Sequence, residues 1–152
     1  MKPTKFINEV TLKKVKTNLP FLNYQIKTSK DAADFLVEYV YDLDTLELFE
    51  CAHVLLLNRA NRIINYAKIS EGGISSTVID PKKVFQFAFL SNASGIIISH
   101  SHPSGQRKPS EADIKLTAKI KEAGNFLDLP LMDHIIICPG NDHYSFADEG
   151  RL

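Results

Sequence analysis

Hydrophobic and polar positions repeat along the chain at two periods, and each period predicts one kind of element. A period of three to four residues, typical of an amphipathic helix, recurs in three segments. It predicts helices over about residues 30–42, 81–92 and 109–124. Ser29 has the side chain of an N-cap with Asp31 in the turn that follows, and Pro81 suits the first position of the second helix.

Shorter apolar runs rich in β-branched residues predict five strands. They cover residues 50–57, 63–70, 95–99, 132–138 and 143–146. The polar segment 58–61 would join the first two strands as a hairpin, and Gly72-Gly73 would end it. The run 95–99 is almost continuously apolar, which is typical of a buried central strand. Residues 10–15 alternate and form a candidate edge strand that its lysines would protect from mispairing.

The order of these elements predicts a single α/β (α+β) domain. Helix, hairpin, helix, strand, helix and hairpin follow one another, and a mixed central sheet flanked by helices would bury the apolar side of each. The chain has 152 residues, which is enough for one domain with its own core. We therefore predict an N-terminal extension over residues 1–28 and one folded domain over residues 29–152.

Composition and charge narrow the function classes. Lys+Arg and Asp+Glu number 18 each, so the neutral chain has no bulk attraction for nucleic acid or for a membrane. No apolar run approaches the roughly 20 residues that cross a bilayer, and the first residues lack the apolar core of a signal peptide. Cys51 and Cys138 lie in separate apolar runs without a C-x-x-C pair, which favours buried core residues over a zinc knuckle. We expect a cytoplasmic protein.

The segment after the central strand carries candidate chemistry. His100 and His102 are two residues apart at a strand end, so both imidazoles would point to one side and reach one ion. Asp113, in the first turn of the next helix, could fold back to present a carboxylate oxygen. Two histidines and one carboxylate leave a fourth position for water, as in catalytic zinc sites. A His-x-His pair alone is a weak signal, and Ser110 with Asp113 also has an ordinary explanation as a capping box.

The combined spacing is more specific than either part. Residues 100–113 read His-Ser-His, seven residues, Ser, two residues and Asp, which is the JAMM motif of the JAB/MPN metalloprotease superfamily. Further stretches, within about residues 28–150, resemble the RadC-like branch of that superfamily. They are residues 55–61, 69–73, 102–105 with 109–110, 133–136 and 144–148. The resemblance implies the cytidine-deaminase-like sheet architecture of JAB/MPN domains.

The resemblance also implies a zinc site and a mechanism. His100, His102 and Asp113 would bind Zn²⁺, which activates a water to attack a carbonyl group. Ser110 would donate a hydrogen bond to the developing oxyanion, although capping its own helix would occupy the same hydroxyl. The implied reaction is hydrolysis of an amide or isopeptide bond in a peptide or protein substrate. The identity of that substrate and the oligomeric state are open.

A general base and an orienting group would complete the implied site. The family takes a glutamate from an earlier strand as the general base, and alignment of the first predicted strand places it at Glu50. Glu47 and Glu71 are the competing positions. Asp133 stands beside a strand start and would either orient a zinc-bound imidazole or cap or pair elsewhere; both alternatives are open. The remaining histidines are scattered and are expected to be satisfied or exposed: His53, His134 and His143.

Two departures limit what the resemblance implies. Ser101 stands where RadC-like proteins commonly have Asn between the histidines, as in deubiquitinating members of the superfamily. Longer RadC-like proteins carry an N-terminal helix–hairpin–helix region suited to nucleic acid. This sequence lacks that region, so we do not expect a DNA role that depends on it.

Two other functions compete with the hydrolase. One is a binding module that has lost catalysis, against which the three intact ligand positions argue. The other is a DNA-repair-associated protein with metal-dependent chemistry on nucleic acid, which the neutral charge disfavours. A cytidine deaminase is excluded because the second ligand pair, P-C-x-x-C, is absent from the sequence.

Overall fold

The structure is a computed structural model that describes residues 23–72 and 78–152. The predicted edge strand at 10–15 and most of the predicted N-terminal extension lie outside these ranges. The elements within them are α1 (Ser29–Phe35), β1 (Cys51–Leu57), β2 (Ile63–Glu71), α2 (Pro81–Leu90), β3 (Gly95–Ser101), α3 (Glu111–Phe126), β4 (Leu131–Cys138) and β5 (Asp142–Ser145). A π-helical turn, Leu36–Val40, continues α1.

The strands form one mixed sheet in the order β2-β1-β3-β4-β5. β1 pairs antiparallel with β2 and with β3, β3 pairs parallel with β4, and β4 pairs antiparallel with β5. The predicted α/β (α+β) class, with both hairpins and a mixed sheet, is confirmed. Every residue of β1 and β3 is buried, because these central strands are covered on both faces.

The two faces of the sheet pack against different helices. Even-numbered apolar positions of β1 and β3 pack with Ala88 of α2 and Ile120 of α3. Odd-numbered apolar positions pack with Ala32 of α1. Because side chains alternate along a strand, His100 and His102 belong to the same face as α2 and α3. The candidate ligands therefore project toward the helix that carries Asp113.

The first helix begins and ends differently from its prediction. Thr28, not Ser29, is the N-cap: its hydroxyl accepts the N–H of Asp31, whose carboxylate accepts the N–H of Thr28. This reciprocal box needs an acidic residue three positions after the cap, and of the two candidates only Thr28 has one. The helical segment ends at Val40 rather than at 42, because Tyr41 is extended and buries its ring in the core.

The other element ends lie within two residues of their predictions, and the difference at β3 concerns the site. β3 continues past residue 99 to Ser101, so His100 lies inside a buried strand and His102 directly follows it. β1 begins at Cys51, immediately after Glu50. Both cysteines are buried and free, as predicted. No helix in the described part of the chain is long and apolar enough to cross a bilayer.

Candidate metal centre

Three potential metal ligands from two elements converge at the carboxyl end of β3. Nε2 of His100 lies 2.9 Å from Nε2 of His102 and 3.3 Å from Oδ1 of Asp113. Nε2 of His102 lies 3.7 Å from Oδ2 of Asp113. One ligand atom from each residue lies within 4.8 Å of the other two. The structure thus brings together the three residues that the sequence nominates as ligands.

A tight turn after β3 fixes the orientation of His102. Gly105 has a φ of 77°, a left-handed conformation that suits glycine, and its N–H donates to the carbonyl of His102 at 3.0 Å. The turn brings the carbonyl oxygen of Gln106 to 2.6 Å from Nδ1 of His102. Since a carbonyl oxygen only accepts, Nδ1 carries the hydrogen. In the neutral ring, Nε2 of His102 therefore keeps a lone pair that faces the site.

The first turn of α3 fixes the orientation of Asp113. Ser110 is the N-cap, and its hydroxyl oxygen accepts the N–H of Asp113 at 3.1 Å. Oδ2 of Asp113 accepts both the N–H and the hydroxyl hydrogen of Ser110, each at 2.7 Å. Oδ1 is the oxygen nearer to His100. Asp113 is therefore both a member of a capping box and a candidate ligand, so the two explanations of this residue hold together.

The site favours an ionised carboxylate. Burial would raise the pKa of Asp113, but its contacts with His100 and His102 outweigh burial and hold that pKa well below its usual range. Burial would lower the pKa of His102, but Asp113, the Gln106 carbonyl and the charge of Glu50 raise it overall. An anionic carboxylate beside two imidazoles is a donor set that suits a divalent cation.

Of the three candidate general bases, the sheet brings Glu50 to the ligands. Ala52 of β1 pairs with His100 of β3, and Glu50 lies two residues before Ala52, directly ahead of β1. Paired residues of an antiparallel sheet point to the same face. Glu50 is half-buried, and its charge is one of those that raise the pKa of His102.

The competing glutamates have other surroundings. Glu47 is exposed in the turn that precedes β1. Glu71, at the end of β2, is exposed, and its carboxylate lies 3.2 Å from Nζ of Lys68. The charge of Glu71 acts on Cys51 and His53, which belong to the α1 face of the sheet. The position of Glu50 agrees best with a role beside the ligands.

Two residues that the sequence did not nominate contact the candidate ligands. Nε2 of His134, on β4, lies 2.8 Å from Nδ1 of His100, and Nδ1 of His134 lies 2.6 Å from Oγ1 of Thr117. Thr117 also donates its hydroxyl to the carbonyl of Asp113 at 2.7 Å. The sequence contained signals for both. Thr117 lies four residues after Asp113, hence on the same helix face, and His134 interrupts an apolar strand.

Asp133 does not contact the imidazoles of the candidate ligands. Its carboxylate accepts the hydroxyl hydrogen of Ser145 at 2.6 Å and the N–H groups of His134 at 2.7 Å and Ala147 at 3.0 Å. Burial raises its pKa despite these bonds. Asp133 therefore braces the chain after β5, and the residue that contacts the imidazole of His100 is its neighbour His134.

The two other histidines lie away from the candidate ligands. His53 is buried on the α1 face, and its Nδ1 has no hydrogen-bond partner within the described ranges. Burial lowers the pKa of His53 to about 4. The expectation that His53 is satisfied or exposed is therefore wrong. His143 is half-buried at the start of β5.

The fold and the site together define an α+β domain with a His, His, Asp cluster at the end of its central strand. A model of the RadC-like JAB domain matches residues 26–151. A UPF0758 protein from Flavobacterium johnsoniae is 41% identical to the chain over 126 residues, which are 83% of this chain and 53% of the relative. A UPF0758 protein from Salinibacter ruber is 42% identical over 128 residues, which are 84% of this chain and 53% of the relative. A UPF0758 protein from Clostridium acetobutylicum is 33% identical over 140 residues, covering 92% of the chain and 59% of the relative.

The chain belongs to the RadC-like JAB domain family, which confirms the resemblance found in its motifs. It spans about half the length of the curated relatives that it matches.

Proposed function

We propose that this domain is a zinc-dependent hydrolase of an amide or isopeptide bond in a peptide or protein. The ligands would be His100, His102 and Asp113, and the general base would be Glu50. One observation carries the proposal: ligand atoms from two histidines and one carboxylate converge within 4.8 Å at the end of a buried strand. Membership of the RadC-like JAB family supports the reaction class.

The separations between the donor atoms fit a small tetrahedral ion. Ligands bound at 2.0–2.1 Å to a tetrahedral zinc lie about 3.3 Å from one another. The 2.9 Å between the two Nε2 atoms and the 3.3 Å from Nε2 of His100 to Oδ1 of Asp113 lie near that value, and one donor atom from each of the three residues lies within 4.8 Å of the others. Three protein ligands leave one position for water, as in catalytic rather than structural zinc sites.

Glu50 would carry the proton transfers of the reaction. A zinc ion, when bound, would supply a Lewis acid that lowers the pKa of a water to about 7 and polarises a carbonyl group. A carboxylate oxygen of Glu50 would accept the proton of the attacking water and then deliver it to the leaving nitrogen. Two features support this role: Glu50 is half-buried directly before β1, and its charge raises the pKa of His102.

Ser110 would donate a hydrogen bond to the oxyanion only after a change in its bonding. Its single hydroxyl hydrogen is donated to Oδ2 of Asp113 in this structure. The side chain is exposed and therefore has room to turn toward a substrate. We propose the oxyanion role as secondary to capping; a mutational test of both is given in the Discussion.

The proposal is tested with two glutamates that lie three residues apart. Both Glu50→Gln and Glu47→Gln should retain one zinc per chain by metal analysis. Against a library of peptides and isopeptides, Glu50→Gln should lose roughly 10²- to 10⁴-fold in turnover, which is the usual contribution of a general base. Glu47→Gln is the matched control and should keep full turnover.

Each alternative predicts a different result in the same experiment. Full turnover by Glu50→Gln would show that Glu50 is not the general base. Loss of turnover in Glu47→Gln alone would assign the general-base role to Glu47. A binding module would hold zinc and cleave nothing in the library. A nucleic-acid-processing protein would bind oligonucleotides in a salt-sensitive gel shift. His102→Ala should lose zinc itself, and a wild-type protein that binds no zinc would overturn the proposal.

A further inference from the structure

His100 can bind a metal through Nε2 only if that nitrogen has no hydrogen. In a neutral imidazole one nitrogen carries the hydrogen and the other has the lone pair. For His102 the backbone decides, because the Gln106 carbonyl holds the hydrogen on Nδ1. Nδ1 of His100 faces instead another imidazole, that of His134, at 2.8 Å. An imidazole can donate or accept, so the tautomer of His100 depends on the partner of His134.

That partner is Thr117, whose hydroxyl has a single hydrogen. Oγ1 of Thr117 lies 2.7 Å from the carbonyl oxygen of Asp113, which only accepts. With its hydrogen used there, Oγ1 must accept from Nδ1 of His134 at 2.6 Å. Nε2 of a neutral His134 then has the lone pair and must accept from Nδ1 of His100.

We propose that Thr117 and His134 are positioning residues that hold His100 in the tautomer whose Nε2 is free to bind metal. This inference rests on the proposed zinc site. It also gives one helix two tasks, because α3 supplies the ligand Asp113 and, one turn later, the hydroxyl that directs the chain of hydrogen bonds to His100.

Burial protects this chain of hydrogen bonds from competing water. His134 is fully buried, and Thr117 is 2% exposed. The ring of His134 stacks on Phe146 with centroids 4.7 Å apart and an interplanar angle of 6°. A charged ring would be costly in such a place, so the neutral form with one ring hydrogen is favoured. The order of donors and acceptors is then set by the protein rather than by solvent.

The opposite order of hydrogen bonds would disable the site. If Thr117 donated to His134, then His134 would donate to Nδ1 of His100, and the hydrogen of His100 would sit on Nε2. In the absence of metal it would be donated to Nε2 of His102 at 2.9 Å or to Oδ1 of Asp113 at 3.3 Å, and it would occupy the lone pair that a metal needs. The bond from Thr117 to the Asp113 carbonyl is what favours the productive order.

The tautomers are measured directly by two-bond ¹H–¹⁵N correlation spectra of the zinc-free protein. The inference expects the hydrogen on Nδ1 in both His100 and His134. A ring that carries no hydrogen on Nδ1 in the wild-type protein, at either position, would overturn it. This measurement needs no bound metal, so it remains decisive even if the wild-type protein fails to bind zinc and the proposed function is abandoned.

Zinc affinity, measured by competition with a chromophoric chelator, tests the consequence. Thr117→Val keeps the shape and removes the acceptor, so zinc affinity should fall roughly 10- to 100-fold, as for other lost partners of metal-bound imidazoles. Thr117→Ser restores the hydroxyl and should restore affinity. Ile120→Val, a buried change in the same helix without a lost hydrogen bond, should leave affinity unchanged. Each variant is first checked for a native spectrum.

The outcomes separate this inference from the proposed function. Wild-type affinity in Thr117→Val would overturn the positioning role while leaving the zinc site intact. An equal loss in Thr117→Val and Ile120→Val would show that packing of α3, not the hydroxyl, is responsible, and it would also overturn the role. A loss in Thr117→Val that Thr117→Ser reverses, together with a shift of the His100 hydrogen to Nε2, would support it.

Discussion

Two helices of this domain begin with the same capping box, and only one of the boxes contributes to the site. Thr28 with Asp31 opens α1, and Ser110 with Asp113 opens α3. In both boxes the hydroxyl oxygen of the N-cap accepts the N–H of the aspartate, at 3.2 Å in α1 and 3.1 Å in α3. In return, the aspartate carboxylate accepts the N–H of the N-cap residue, at 2.8 Å in α1 and 2.7 Å in α3. These reciprocal bonds therefore do not distinguish the two boxes.

The two boxes differ in the groups that surround the aspartate of each. Asp31 accepts one further N–H, from Lys27, and these backbone bonds hold its pKa below the usual range. Asp113 instead faces His100 and His102 at the end of β3. A Ser or Thr followed three residues later by Asp thus predicts a helix start, and a second element must supply the partners that make the acid a candidate ligand.

The largest expected effect compares the two acids. Asp113→Asn should lower zinc affinity by more than about 100-fold, because the loss of an outer hydrogen-bond partner alone costs roughly 10- to 100-fold. Asp31→Asn makes the same chemical change in the same local geometry and should leave zinc affinity unchanged. Chelator competition measures both. Similar zinc affinities in the two variants would mean that Asp113 is only a cap.

The second effect compares the two hydroxyls. Ser110→Ala and Thr28→Ala should each destabilise the protein by about 1 kcal/mol, the usual cost of a lost cap, measured by urea unfolding of the zinc-free form. Only Ser110→Ala should also weaken zinc binding, by roughly 10-fold, because its hydroxyl holds Oδ2 of the candidate ligand.

Turnover extends this comparison to the oxyanion role of Ser110. A cap alone predicts a turnover of zinc-saturated Ser110→Ala near that of the wild type. An oxyanion donor predicts a loss of roughly 10²- to 10³-fold. Thr28→Ala is the control, and a similar loss of turnover in that variant would trace the effect to stability.

The elements of the fold were predictable from periodicity, and the end of β3 was not. Ser99 and Ser101 flank His100, and the apolar pattern predicted that the strand ends at Ser99. Both hydroxyls are buried on the α1 face, where Ser99 bonds the hydroxyl of Tyr41 at 2.9 Å and Ser101 accepts the N–H of Cys51 at 2.9 Å. Those partners come from distant parts of the chain, so local pattern cannot reveal that the serines continue the strand.

The three candidate ligands were also predictable from the sequence, but the residue that contacts one of them was not. Motif spacing nominated His100, His102 and Asp113, because these residues lie within one strand, turn and helix. The contact of His134 with His100 was not predicted, because it depends on the parallel pairing of β3 with β4, in which His134 lies opposite Ile98. Pairing of this kind is set by packing of the whole sheet and leaves no fixed spacing in the sequence.

The smallest expected effect is the pH dependence of the cap that lies outside the site. The pKa of Asp31 is lowered chiefly by the N–H of Lys27 and then by that of Thr28. A carboxylate whose pKa is lower in the folded state stabilises the protein at every pH above its unfolded-state pKa, about 3.9. This stabilisation is lost as the pH falls through the folded-state pKa.

Urea unfolding of the zinc-free proteins measures the difference in the free energy of unfolding between wild type and Asp31→Asn. This gap should therefore be constant near neutral pH and shrink below about pH 4. Since Asp31 is only partly buried, added salt should reduce the gap further. A gap that grows with acidification would show that the ionised carboxylate does not stabilise α1, and the likeness between the two boxes would then be one of geometry alone.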